Sequence, residues 1–339
     1  MHEAYRIKQR TISDTIERSR TPLGNHSARY VPPSPSAVTD TPPVVALIGN
    51  TPLVPLTQVR DALAPGVSLH VKLEGPNPGG SVKDRAALFI VREALRGGKL
   101  APGRTLLDAT SGNTGIAYAM LGAALGFPVH LAMPADASPE RVQILRAYGA
   151  QLTLIDPAAG TEGARQFVRE LVASEPERYV HADQYDNPAN PLAHYATTGP
   201  EIWRQTEGRI THFVAGLGTA GTMMGTGRAL KERNPEVQLV GVQPEGPKHG
   251  ISGLKHLATA EPPGIYDPGL VDWIATVGTE QAEAMASRLA RQEGLFVGIS
   301  AGAAVVAALR LARELEHGMV VALLADGGFK YASAPFWAQ

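Results

Sequence analysis

Short apolar and β-branched runs alternate with segments of helical periodicity from Val44 onward. The runs predict seven strands, at Ser68–Leu73, Thr105–Ala109, Val129–Met133, Gln151–Ile155, Thr211–Ala215, Gln238–Val242 and Met319–Leu324. Most of them show little strict alternation of apolar and polar positions, which is typical of strands buried on both faces. Strands that take turns with helices predict an α/β protein with parallel sheets, and such sheets bind ligands at the carboxyl ends of their strands.

Two helices have clear boundary signals. The segment Val82–Arg96 carries its apolar residues on one stripe, and the Gly97-Gly98 pair predicts its end. The run Ser138-Pro139-Glu140 predicts the start of another helix, with serine as the N-cap and proline in the first turn.

The first 43 residues differ from the rest of the chain. They are polar, mix basic with acidic side chains and end in a proline-rich stretch, so we predict a mostly disordered arm over residues 1–43. Arginine and serine are also typical of transit peptides, but the interspersed acidic residues favour a variable N-terminal extension.

Composition narrows the class of partner. A length of 339 residues suggests two domains at about 150 residues each. A hydrophobic share of 44% is that of a globular protein, and a net charge of -1 provides no field to attract nucleic acid or an anionic membrane. We therefore expect small-molecule partners, no nucleic acid and no membrane.

The absence of cysteine excludes disulfides, thiolate catalysis and cysteine-based metal sites. The histidines show no metal-ligand spacing, so we expect no metal. No apolar run approaches the roughly 18 residues that span a bilayer, and no signal-peptide core is visible. These observations favour a soluble cytoplasmic protein.

The first of three glycine-bearing loops is Asn77-Pro78-Gly79-Gly80-Ser81-Val82-Lys83-Asp84-Arg85. With Ser81 as the N-cap, Lys83 falls in the first helical turn, where the helix dipole disfavours an ammonium. That position suits a lysine that acts as a free amine, nucleophile or base. The alternative is a solvated lysine steadied by Asp84 and Glu74.

The second loop is the run Thr110-Ser111-Gly112-Asn113-Thr114-Gly115, which follows a predicted strand and opens a helix. Free N–H groups and polar side chains at a helix N-terminus form a site for a carboxylate. The alternative is a well-capped helix, because Ser, Asn and Thr are also the usual capping residues.

The third loop, Gly216-Leu217-Gly218-Thr219-Ala220-Gly221-Thr222, matches the dinucleotide pattern GxGxxG. No acidic residue directly follows the next strand to hold a ribose, so NAD stays possible but unsupported. A P-loop is excluded because no Lys-Ser/Thr pair follows. The glycine amides and two threonine hydroxyls would also hold a single phosphate monoester.

A poised amine, a carboxylate site and a phosphate cup together describe pyridoxal 5'-phosphate (PLP) with an amino-acid substrate. With these motifs the chain resembles the O-acetylserine sulfhydrylase family of fold-type II PLP enzymes, and within it the cysteine synthase B group. The resemblance extends from about Val45 to about Ser333. It rests on five segments, Ile48–Leu53, Lys72–Leu88, Ala109–Gly115, Thr197–Trp203 and Val297–Gly302.

The resemblance implies a role for each motif. Lys83 is the catalytic residue, which binds the cofactor covalently, while Asn113 bonds the ring hydroxyl and Ser300 meets the ring nitrogen. A neutral serine there makes the ring a weaker electron sink, which suits prompt expulsion of a β-leaving group. The phosphate is held by Gly218, Thr219, Ala220, Gly221 and Thr222. The substrate carboxylate is held by Thr110, Ser111, Gly112, Asn113 and Thr114, with Gln184 nearby.

The family's fold is tryptophan synthase β-like, with two doubly wound α/β domains and the cofactor between them. Residues 44–76 and 188–339 are expected to form the large PLP-binding domain, and residues 77–187 a smaller, mobile substrate-binding domain. The implied activity makes L-cysteine from O-acetyl-L-serine and sulfide, or S-sulfocysteine from thiosulfate. The resemblance also implies a homodimer and leaves association with serine acetyltransferase open.

Two departures from the family pattern stand out. Cysteine synthase B enzymes usually carry an arginine pair in the loop written here as Gly253-Leu254-Lys255-His256. Lys255 keeps the positive charge toward the substrate but lacks the bidentate fork, which argues against thiosulfate. The pair Phe329-Lys330 stands where an acidic residue and an arginine are common.

Several alternatives remain open from the sequence. A related β-replacement or β-elimination enzyme would use O-phosphoserine or serine, as a cystathionine β-synthase or diaminopropionate synthase does. A non-catalytic PLP-binding paralogue is a different class, against which Lys83, Asn113 and Ser300 argue. An NAD-binding module is the third.

Overall fold

The structure is a computed structural model that describes residues 16–18, 42–60, 63–110 and 112–338. The strands are β1 (Ile16–Arg18), β2 (Leu53–Pro55), β3 (Gly66–Leu73), β4 (Thr105–Ala109), β5 (Val129–Pro134), β6 (Gln151–Ile155), β7 (Tyr179–His181), β8 (His212–Gly216), β9 (Gln238–Pro244), β10 (Trp273–Val277) and β11 (His317–Leu324). The α-helices are α1 (Pro43–Ala46), α2 (Lys83–Arg96), α3 (Asn113–Leu125), α4 (Pro139–Ala147), α5 (Gly160–Ser174), α6 (Ala189–Ala193), α7 (Gly199–Gln205), α8 (Gly221–Lys231), α9 (Thr279–Arg288) and α10 (Ile299–Arg313). A π-helical turn, His194–Thr198, joins α6 to α7.

The strands form two sheets. The larger has the order β1-β10-β9-β8-β11-β3-β2, with only β1 and β2 antiparallel to their neighbours among the described strands. The smaller, β6-β5-β4-β7, is parallel throughout. The small sheet is built wholly from residues 105–181, and the large sheet from residues on either side of that range.

All seven predicted strands are confirmed, with ends that differ by at most a few residues. The apolar pattern did not predict β1, β2, β7 or β10. Strands β1, β2 and β7 have only three residues each and lie at sheet edges, so they carry little pattern, whereas β10 is an interior strand. Strand β1 lies within the arm predicted to be disordered, and most of that arm lies outside the described residues.

The predicted helix boundaries are close to the observed ones, but the two predicted serine caps differ. Helix α2 begins at Lys83 with Val82, not Ser81, at the N-cap position, although the Ser81 hydroxyl accepts a hydrogen bond from the Lys83 N–H at 3.3 Å. Helix α4 begins after Ser138 as expected, but the Ser138 hydroxyl donates to the carbonyl of Lys330 at 3.2 Å instead of capping the helix. This contact joins the small-sheet region to the C-terminal segment.

A buried ion network supports the start of α2. Arg85 donates to Glu74 and Glu201, each at 2.7 Å, and Lys72 donates to Glu201 at 2.7 Å. Buried charges are tolerated when paired and hydrogen-bonded. The network therefore ties β3, α2 and α7 together directly beneath Lys83. None of the helices in the described ranges is long and apolar enough to cross a membrane.

Candidate active site

The three predicted loops follow the carboxyl ends of β3, β4 and β8, and Val82 of the first loop packs in one buried cluster with Ala220 of the third. The segment after β3 bridges to the segment after β11 through Ser81 and Asp326. Asn113, which follows β4 of the small sheet, donates from Nδ2 to Oδ2 of Asp326 at 2.7 Å. Asp326 therefore links the Lys83 loop and the Asn113 loop, and the candidate site lies between the two sheets.

Lys83 has the surroundings of a reactive amine. Burial lowers its pKa from the ordinary value of 10.5, and the nearby Asp326 carboxylate partly opposes that shift. Glu74 pairs with Arg85, and Asp84 accepts the Gly79 N–H at 2.5 Å, so neither steadies Lys83 as the alternative reading required. Within the described residues, no hydrogen bond or ion pair engages the Lys83 ammonium.

Residues 218–222 form an N–H-lined cup where β8 runs into α8. The Leu217 N–H donates to Val242, but the N–H groups of the next five residues have no acceptor in the described parts of the chain. Ala220 adopts the left-handed region at φ 64°, a strained conformation of the kind found at ligand sites. A Cβ at Gly218 would overlap the carbonyl oxygen of Gly253, so glycine is required there. Unpaired N–H groups at a helix N-terminus suit a phosphate.

Two side chains hold the threonines of this cup, and the sequence analysis did not assign either of them to the site. Asn190 donates from Nδ2 to Thr219 Oγ1 at 3.1 Å, and His194 Nε2 lies 3.3 Å from Thr222 Oγ1. Burial, and then the cations Arg85 and Lys83, hold the pKa of His194 well below its usual range. His194 is thus a neutral, packed histidine, as expected for a histidine without metal-ligand spacing.

The second loop, residues 110–115, has features of both predicted roles, a helix cap and a carboxylate site. The Thr110 hydroxyl accepts from the N–H groups of Gly112 and Gly115, each at 3.1 Å, and so caps α3. Thr114 donates to Gln184 Oε1 at 2.6 Å. The N–H groups of Asn113 and Thr114 have no acceptor within the described residues, which leaves them for an anion. Ser111 lies outside the described residues.

Ser300 lies in the first turn of α10, next to the segment that carries Asp326. The backbone of Gly298 donates to the Asp326 carbonyl at 3.2 Å, which places the start of α10 against that segment. Ser300 is buried, and its hydroxyl has no partner in the part of the chain that the structure describes.

Lys255 approaches the cup from the loop after β9. Its N–H donates to the Leu217 carbonyl at 2.8 Å, and its ammonium lies 4.6 Å from the centre of the Tyr185 ring. Burial lowers the pKa of this lysine. Lys255, which stands where the family usually carries an arginine pair, therefore lies beside the cup and Tyr185.

The C-terminal departure also belongs to the site. Lys330 is buried and donates to Asn113 Oδ1 at 2.8 Å, and Tyr331 donates to Asp326 Oδ2 at 2.7 Å. The sequence analysis noted Lys330 as a departure but assigned it no role, and it did not single out Tyr331. The only available signal was their place after β11, a strand whose carboxyl end faces the ligand side of the sheet.

These unsatisfied groups match the functional groups of PLP. Among the described residues, a partly buried amine without a partner suits its aldehyde, five unpaired N–H groups suit its phosphate, and an unpaired neutral hydroxyl suits its pyridine nitrogen. The described residues therefore fit this cofactor.

Comparison with known proteins agrees with this fit. Residues 44–326 match the family described as pyridoxal-phosphate dependent enzymes. A cysteine synthase of Aquifex aeolicus is 53% identical over 301 residues, covering 87% of this chain and 92% of that protein. Cysteine synthase B of Salmonella typhimurium is 48% identical over 288 residues, covering 84% and 93%.

A solved structure shows the same architecture. The cysteine synthase (OASS) of Entamoeba histolytica superposes with a TM-score of 0.84 at 34% identity, covering 93% of this chain and 95% of that one. The match confirms the fold-type II α/β prediction, and the family match confirms the prediction of PLP. The chain belongs to the family of pyridoxal-phosphate dependent enzymes.

Proposed function

We propose that this protein is a PLP-dependent cysteine synthase, which replaces the acetate of O-acetyl-L-serine by sulfide to form L-cysteine. The relatives named cysteine synthase, at 53% and 48% identity, support this substrate assignment. The observation that carries it is the amine of Lys83, which is partly buried near the N–H-lined cup and has no hydrogen-bond or ion-pair partner among the described residues. Bound PLP supplies an electron sink for the bond changes at the substrate's α- and β-carbons.

Lys83 holds the cofactor and moves the substrate's proton. Its lowered pKa makes the free amine more available near neutral pH, as a nucleophile or a base needs. A free Lys83 amine would take the substrate's α-proton and later return it. The Asp326 carboxylate limits the fall in the pKa of Lys83, so the amine can still accept a proton.

The start of α3 binds the substrate's carboxylate in this proposal. The unpaired N–H groups of Asn113 and Thr114 and the helix dipole attract the anion. Thr110 and Gln184 act mainly behind this surface, since Thr110 caps the helix and Gln184 accepts from Thr114.

Sulfide is the proposed sulfur donor. Thiosulfate would need a cation that binds its sulfonate end, and Lys255 offers a point charge where an arginine would offer a planar fork. The Lys255 ammonium also lies over the Tyr185 ring, 4.6 Å from its centre. Both features weaken the case for thiosulfate as a competing donor.

The finer organisation is proposed from the family resemblance. The small-sheet region, residues 77–187, is proposed to be the mobile substrate-binding domain, and the large-sheet region to be the PLP-binding domain. The protein is proposed to act in the cytoplasm as a homodimer. Sedimentation of the purified protein would test the dimer.

A product assay tests the proposed function. The protein loaded with PLP is incubated with sulfide and, in turn, O-acetyl-L-serine, O-phospho-L-serine or L-serine, and cysteine is measured. A further arm replaces sulfide by thiosulfate and measures S-sulfocysteine. We expect cysteine from O-acetyl-L-serine and sulfide, and none from Lys83→Ala. Turnover of O-phospho-L-serine or L-serine alone would assign a related β-replacement enzyme, and no turnover by the loaded protein would indicate a non-catalytic paralogue.

A further inference from the structure

Lys330 is a buried lysine at the candidate site, and none of the roles above uses it. It is 6% exposed, and its ammonium donates to the carbonyl oxygen of Gly79 and to Oδ1 of Asn113, both at 2.8 Å. A buried ammonium is costly unless it is hydrogen-bonded, so these acceptors fix its position. Burial lowers the pKa of Lys330, whereas the carboxylates of Asp326 and Asp84 favour its charged form.

The side-chain amide of Asn113 is held between opposite charges. Its oxygen accepts from Lys330, while its nitrogen donates to Oδ2 of Asp326 at 2.7 Å. A flipped amide would turn its NH₂ group toward the ammonium and its oxygen toward the carboxylate, and both hydrogen bonds would be lost. Asp326 is itself fixed by the Tyr331 hydroxyl at 2.7 Å.

This arrangement leaves one N–H of the Asn113 amide nitrogen unspent, because that nitrogen has two donors and Asp326 accepts one. Lys330 also ties Asn113 to Gly79, which precedes Lys83 by four residues. Lys330 therefore links the Asn113 amide to the segment that precedes the Lys83 amine, although Asn113 and Lys83 belong to different helices.

We propose that Lys330 is a positioning residue that orients the Asn113 amide, so that an N–H and not the carbonyl is offered to the ring hydroxyl of bound PLP. The inference rests on the proposed function, in which Asn113 contacts the cofactor ring. It also gives a role to the lysine at a position where the family pattern carries arginine.

A double-mutant cycle on cofactor affinity tests the inference. Cofactor-free wild type, Lys330→Met, Asn113→Ala and the double variant are titrated with PLP, and the Kd is obtained from the visible absorption band. We expect Lys330→Met to weaken binding about tenfold when Asn113 is present, the range expected for an orphaned buried polar group. In the Asn113→Ala background the same change is expected to weaken binding less than about twofold, because coupled residues are not additive.

Lys248→Met, at an exposed lysine, is the matched control and is expected to leave the Kd unchanged. Should Lys330→Met fail to fold by circular dichroism, Lys330→Gln takes its place, with the same expected coupling. An equal weakening in both backgrounds, or an unchanged Kd, would overturn the inference, because a merely structural lysine acts independently of Asn113. A wild type that forms no visible band with PLP would instead refute the proposed function.

Discussion

At the residue scale, buried ion pairs of Glu201 hold the segments around the candidate site in place. Glu201 is 5% exposed and accepts hydrogen bonds from Lys72 and from both terminal nitrogens of Arg85, at 2.7 to 2.8 Å. Burial opposes the charged form, but the hydrogen bonds and charges of Arg85 and Lys72 outweigh it and lower the pKa of Glu201 from 4.5 to about 2. The carboxylate is therefore ionised throughout the neutral range, and it anchors the helix that begins with Lys83.

Replacing this carboxylate should destabilise the protein in a pH-dependent way. We expect Glu201→Gln to lower the free energy of unfolding near pH 7 by about 3 to 5 kcal/mol, because buried Lys72 loses its ion-pair partner and buried Arg85 loses one of its two. A lowered folded-state pKa stabilises above the unfolded-state value and loses that contribution as pH falls toward the folded-state value. The difference between variant and wild type should thus shrink as pH falls from 4.5 toward about 2.

Denaturant unfolding of the cofactor-free protein across that pH range measures the effect. Glu177→Gln is the control, since Glu177 is exposed, and it should change the free energy of unfolding little at any pH. A difference for Glu201→Gln that stays constant with pH would contradict the account of the network.

Some features of single residues could be predicted from a local rule. The conflict between an ammonium and a helix N-terminus singled out Lys83, and that lysine is partly buried and unpaired among the described residues. Lys330 could not be found in this way, because its partners Gly79 and Asn113 are more than 200 positions away in sequence. The observed N-cap of α2 is Val82, one residue after the predicted Ser81, whose hydroxyl still accepts from the Lys83 N–H.

At the scale of elements, the glycine loop between β8 and α8 shows how close packing shapes a binding surface. The Lys255 N–H bonds to the Leu217 carbonyl at 2.8 Å, which brings the loop after β9 against the cup. A side chain at Gly218 would collide with the backbone oxygen of Gly253, and backbone cannot move aside as a flexible side chain can. The unpaired N–H groups of the cup therefore depend on a glycine at this position.

The change Gly218→Ala should damage the cup. We expect the dissociation constant for PLP to rise by about tenfold or more, since displaced N–H groups lose hydrogen bonds to a charged phosphate. Titration of the cofactor-free variant with PLP measures it. Gly246→Ala is the matched control, because nothing lies within 4 Å of a Cβ there. Equal affinity of Gly218→Ala and wild type would argue against this loop as the phosphate site.

The pattern of apolar runs predicted the interior strands other than β10, because burial on both faces leaves a continuous apolar signal. Strands β2 and β7 have three residues each and lie at sheet edges, so they carry too little pattern to predict. The cup was predicted from glycine spacing alone, whereas its supports Asn190 and His194 come from a different segment that the fold brings beneath it.

At the scale of the whole molecule, the site exists only where the two sheets meet. Asn113 and the start of α3 come from the small-sheet region, while the cup, Ser300 and Asp326 come from the large-sheet region. The hydrogen bond from Asn113 to Asp326 crosses between them at 2.7 Å. In the proposed function, the large-sheet region binds the cofactor and the start of α3 binds the substrate's carboxylate, so both regions act on one substrate.

The central claim is that Lys83 carries PLP in a site built to exchange the acetate of O-acetyl-L-serine for sulfide. The most direct measurement is the visible absorption spectrum of the purified protein with PLP, followed on adding O-acetyl-L-serine and then sulfide. We predict a visible band that shifts with O-acetyl-L-serine and returns with sulfide, and that is absent from Lys83→Ala. A band that O-acetyl-L-serine leaves unmoved, or one that persists unchanged without Lys83, would contradict the account.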